Sequence, residues 1–90
     1  MLLPPGRYRF EAKARCKDVV AGEDGGGVQL RRSGQTGEQR VVGTQGWQVL
    51  GYEFALEGEP QEIVLVAELR ASSGQAWFRR DSLRLVRLQD

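Results

Sequence analysis

The chain predicts an all-β fold, an antiparallel sandwich of about six strands, and three stretches carry that prediction. Residues 7–17 alternate strictly between polar and apolar side chains, and residues 46–56 alternate again. Residues 63–67 form an apolar run rich in β-branched side chains, followed by a serine-glycine turn signal and an alternating tail. No segment has a helical stripe, and turn signals recur at the spacing of a sandwich.

The first strand places Tyr8, Phe10, Ala12, Ala14 and Cys16 on one face and Arg7, Arg9, Glu11, Lys13, Arg15 and Lys17 on the other. A period of two with one apolar face is the pattern of a half-buried strand. The glycine-rich stretch "AGEDGGG" at residues 21–27 reads as a loop into a short second strand, in which Val28 and Leu30 alternate. After the turn "SGQTGE", the segment "RVVG" at residues 40–43 predicts a brief third strand. The fourth, in "GWQVLGYEFAL", aligns Leu50, Tyr52, Phe54 and Leu56 and reads as the central strand. A turn at "EGEP" leads to a fifth strand over residues 61–70, whose apolar run is that of a strand covered on both faces. "ASSG" at residues 71–74 then predicts a hairpin into the sixth strand.

Ninety residues make one domain, residues 1–90, and such a chain buries only roughly 60–65% of its unfolded surface, so the core is small. Thirteen basic against twelve acidic residues give a net charge of +1, far from the basic balance of a nucleic-acid binder. No apolar run nears the ~18 residues of a membrane-spanning helix, so no membrane partner is expected. The opening "MLLPPG" lacks the basic start and apolar stretch of a secretory signal. The compartment stays open, and is extracellular if the chain belongs to a larger secreted polypeptide.

The chain has no histidine, which removes the common zinc constellations and the Ser-His and Cys-His pairs. Its one cysteine, Cys16, falls in the apolar register and reads as a small buried hydrophobe. "AGEDGGGV" lacks the Gly-Lys-Ser/Thr ending of a phosphate loop and opens no helix. Glu53, Glu57, Glu59, Glu62 and Glu68 form no pair at a spacing suited to glycosidase work. No catalytic residue is expected, and the chain reads as a binding module rather than an enzyme.

Three motifs occur in order: "PGRYRFEAKAR", "GTQGWQVLGYEFAL" and "SSGQAWFRRDSLRLVRL". Together, over residues 5–88, they resemble the galactose-binding-like jelly rolls of carbohydrate-binding modules. The resemblance implies a jelly-roll-like fold and a non-catalytic role in recognising a carbohydrate. It also implies two departures. About two of the family's usual eight strands have no counterpart before Leu3, so the chain reads either as the C-terminal part of a larger jelly roll or as one whose bare edge is covered in a homodimer. Arg79 stands where the family places a calcium-binding aspartate, and a guanidinium has no lone pair for a hard cation. Asp81, Glu23 and Asp24 are the nearest replacement oxygens; they read as solvated turn residues, and no cofactor or metal is expected.

Sugar-binding modules stack pyranose rings on aromatic faces and bond hydroxyls with planar polar groups. Tyr8, Phe10, Tyr52 and Phe54 lie in buried registers, which leaves Trp47 and Trp77. Trp77 and Phe78 are adjacent, so they point to opposite faces of a strand. The candidate ligand-binding residues are Trp47, Trp77, Arg79 and Arg80, backed by the basic face of the first strand if Arg79, Arg80 and Arg84 lie beside it. The bland reading of that face is a row of charges that keeps an exposed strand from aggregating. The alternative role is a structural or self-associating domain without a small ligand, which would bury both tryptophans at a subunit contact.

Overall fold

The computed structural model describes residues 1–22, 26–35, 37 and 39–88, and these form an all-β, antiparallel fold. Its strands are β1 (Leu2–Leu3), β2 (Gly6–Ala21), β3 (Gly27–Arg32), β4 (Gly43–Leu56), β5 (Gln61–Glu62), β6 (Leu65–Phe78) and β7 (Arg84–Leu88). β2 pairs with β4 on one side and with β6 and β7 on the other, β3 pairs with β6, and β1 pairs with β5.

The alternation of β2 has the predicted consequence. Tyr8, Phe10, Ala12, Ala14 and Cys16 are buried, and the β2–β4 register sets Tyr8 opposite Phe54, Phe10 opposite Tyr52 and Ala12 opposite Leu50. Tyr8 and Phe54 stack with ring centroids 5.5 Å apart, and Tyr52 and Phe54 at 5.8 Å. The Tyr8 hydroxyl donates to the Pro4 carbonyl at 2.7 Å, so the ring is buried without orphaning its oxygen. Cys16 lies in the same cluster, its thiol 3.4 Å from the Gly43 carbonyl.

β3 lies against β2 and β4 without a ladder bond to either, and brings Val28 and Leu30 into the same core. Its own ladder runs to residues 65–70 of β6, whereas residues 71–78 of β6 pair with β2. β6 is thus shared between two ladders, an arrangement compatible with a sandwich.

Three expectations about the strands are corrected. The segment at residues 40–43 is not a strand: Val41 makes a lone two-bond bridge to Val28, at 2.9 and 3.0 Å, and Gly43 at φ +76° turns the chain toward β2. The run at residues 63–67 is not covered on both faces, because Ile63 is buried just ahead of β6 while Val64 and Ala67 are exposed. "ASSG" makes no hairpin; it lies inside β6, where Gly74 takes φ +116° and lets the strand pass hard against Asp18 and Val19 of β2. Asp18 itself adopts φ +53° at a register shift of β2, with its N–H donating to the Thr44 hydroxyl at 3.0 Å.

The reversal expected at residues 71–74 does not occur later either. β6 and β7 follow one path along β2, interrupted by residues 79–83, which include the 3₁₀ turn Arg80–Ser82. Lys13 of β2 sits beside the interruption. Its carbonyl accepts from the Arg79 N–H at 2.9 Å, and its N–H donates to the Ser82 hydroxyl oxygen at 2.8 Å. The ladder therefore stays satisfied across the bulge, which keeps its cost low.

Candidate functional site

The outward face of β2 carries Arg7, Arg9, Glu11, Lys13, Arg15 and Lys17, and its neighbours decide what each of these does. On the β6 side Trp77 stands directly opposite Arg15. On the β4 side a bulge sets Gly46 and Trp47 against the single residue Arg15, because Ala14 pairs with Gln48 and Cys16 with Gln45. Arg15 is thereby flanked by both tryptophans. Its guanidinium carbon lies 4.5 Å from the Trp77 ring centroid and 5.2 Å from that of Trp47, within cation–π range of each. Both indoles remain partly open, Trp77 at 38% and Trp47 at 46% of full exposure, while Phe78 turns inward onto the core.

Beside this triplet lies an open depression of about 410 Å³ over Lys13 and Val49, rimmed by Arg79, Asp81, Ser82 and Arg84. Glu11 lies at its other end, accepting from Arg9 Nε at 3.0 Å and from Arg84 Nε. Arg79 Nε reaches Asp81 at 3.3 Å. Arg9 also lies across Gly51, where the missing side chain leaves room for its guanidinium, and reaches Glu53 at 4.0 Å. Among the described residues, Lys13, Arg15 and Lys17 have no acidic partner within ion-pair distance. The face is thus polarised, with charges compensated near Glu11 and uncompensated cations near the tryptophans.

Of the residues expected to bind, Trp47 and Trp77 come together through Arg15. Arg79 borders the depression with its charge met by Asp81. Arg80 is exposed on the 3₁₀ turn and does not line the depression. The pairing that makes Arg15 central was not legible beforehand, since it depends on the registers of β2 with two distant strands. Asp81, weighed as a calcium oxygen, is the ion-pair partner of Arg79, and Glu23 and Asp24 lie outside the described residues. No group of three or more His, Cys, Asp or Glu gathers among the described residues.

Two carboxylates are held below their ordinary range. The Arg9 hydrogen bond, with help from Arg84, lowers Glu11 against the opposing effect of burial. In the β3–β6 ladder, Arg31 at 2.7 Å and Gln29 at 2.8 Å lower Glu68 in the same way. A carboxylate depressed in the folded state contributes stability above its unfolded value, about 4.3, and loses it as pH falls through the folded value. The melting temperature is therefore expected to drop below about pH 4. Glu68→Gln and Glu11→Gln should each flatten that drop, and acid melting curves that keep the wild-type slope in both variants would refute the assignment.

Comparison with protein-family models, with curated proteins and with solved structures returned no match. The fold and site define an all-β domain that presents an aromatic-cationic sheet face.

Proposed function

We propose that this domain is a non-catalytic carbohydrate-binding module of jelly-roll-like build. The observation that carries the reading is the Trp47–Arg15–Trp77 triplet on an open sheet face. Strands one apart from a shared neighbour lie about 9.5 Å apart, so the two indoles are spaced to flank a sugar ring or bracket successive ones. Indole faces take the apolar C–H side of a pyranose, and the adjoining depression supplies Lys13, Arg79, Ser82 and Arg84 for hydroxyls. The three-motif resemblance to galactose-binding-like jelly rolls supports the same ligand class.

The test is affinity electrophoresis against neutral and acidic polysaccharides. Trp47→Ala and Trp77→Ala should each weaken retention at least about tenfold, equivalent to about 1.4 kcal/mol. Both side chains are partly exposed, so their melting temperatures should stay close to wild type. A chain that no polysaccharide retains, or variants retained as well as wild type, would overturn the reading.

A second reading is a self-associating domain. Trp47, Val49 and Trp77 are exposed apolar side chains on one face, and such a group also suits a subunit contact in a homodimer. Light scattering separates the two: a dimer that Trp77→Ala converts to a monomer would replace the carbohydrate reading.

A further inference from the structure

We infer that the ligand is an acidic saccharide, carrying a carboxylate or sulfate group, with Arg15 as its counter-charge between Trp47 and Trp77. The inference rests on the carbohydrate reading and narrows it. A neutral sugar that stacks on the inner faces of these indoles must first displace the Arg15 guanidinium, losing two cation–π contacts. An acidic sugar leaves Arg15 seated. The Arg15 N–H groups have no side-chain acceptor among the described residues, and a guanidinium edge matches the paired oxygens of a carboxylate or sulfate.

The surroundings favour the same ligand. Arg15 forms no ion pair or side-chain hydrogen bond among the described residues, and Lys13 and Lys17 flank it on β2 with the same freedom. Acids on this face are engaged elsewhere: Glu11 by Arg9 and Arg84, Glu53 by Arg9, and Asp81 by Arg79. An anion arriving at the tryptophan end therefore meets unpaired cations, whereas one arriving at Glu11 meets a carboxylate. The small net charge of +1 makes this local excess, rather than a general basicity, the source of any preference.

The experiment is calorimetric titration of the wild-type chain and of Arg15→Ala, Arg15→Lys and Trp77→Ala with polygalacturonate, chondroitin sulfate and neutral galactan, at low and moderate salt. Polygalacturonate carries the carboxylate alone and chondroitin sulfate carries both groups, so binding of both polymers identifies the carboxylate, and binding of chondroitin sulfate that its desulfated form lacks identifies the sulfate. Expected are binding of an acidic polymer over galactan, a loss of at least about tenfold in Arg15→Ala, a smaller loss in Arg15→Lys, and weakening by salt. Thermal melting of each variant shows whether it is folded, and Arg15→Lys keeps the charge and stem if Arg15→Ala perturbs the face. Galactan bound best, with Arg15→Ala equal to or tighter than wild type, overturns the acidic ligand and leaves the carbohydrate reading standing. Acidic polymers bound equally by Arg15→Ala and Trp77→Ala would mean general charge attraction and also overturn it. No binding of any polymer overturns both.

Discussion

Leu30→Ala is expected to lower the unfolding free energy by about 3–4 kcal/mol. Leu30 is 1% exposed and belongs to the buried cluster shared by β2, β3 and β4, so its loss leaves a cavity that a small core cannot close by collapse. A ninety-residue chain has about 5–13 kcal/mol in total, so the variant would sit near the limit of foldedness. Urea denaturation should show a midpoint lower by about 2–3 M with the slope unchanged. Leu69, the partner of Val28 on β6, is 36% exposed and provides the contrast: Leu69→Ala should cost about 1 kcal/mol or less. Equal losses at the two positions would mean that β3 does not cover the core.

Gly74→Val is expected to be about as damaging, for a different reason. At φ +116° the backbone is closed to side-chain-bearing residues, and a Cβ would stand 2.5 Å from Val19 Cα and 2.7 Å from the Asp18 carbonyl oxygen. Both obstacles are backbone atoms of β2 and cannot swing away as a flexible side chain would. A loss of at least about 3 kcal/mol follows, through strain and through separation of β6 from β2. Gly46 is the internal control: a Cβ there meets nothing within 4 Å, so Gly46→Ala should change stability by under about 1 kcal/mol in either direction. A Gly74→Val chain melting at the wild-type temperature would show that β6 does not cross β2 as described.

These positions also show what could be read beforehand. The face of β2, the inward Leu50, Tyr52, Phe54 and Leu56, and the opposed Trp77 and Phe78 were all visible, because alternation is local and needs no partner. "ASSG" misled for an equally local reason: serine and glycine gather at hairpins, yet here Gly74 serves a close crossing whose other half lies more than fifty residues earlier. Trp47 and Trp77 were recognisable as residues left over from the core. Arg15 was visible only as one cation in a row, since its neighbours are set by a β4 bulge and a β6 register. Sheet chemistry across strands is written in pairings rather than in sequence neighbours.

β2 is the strand to which β4, β6 and β7 all attach, and its last partner ends at Leu88. During synthesis at about 5–20 residues per second, the wait from Ala21 to Leu88 takes roughly 3 to 13 s. For about the first half of that interval, until β4 is complete at Leu56, β2 has no long mate, and its Tyr8, Phe10 and Cys16 stripe is open to any other extended chain. The arginines and lysines that alternate with that stripe then act before any fold exists: they make the nascent strand repel its own copies until the residues that complete it have been made.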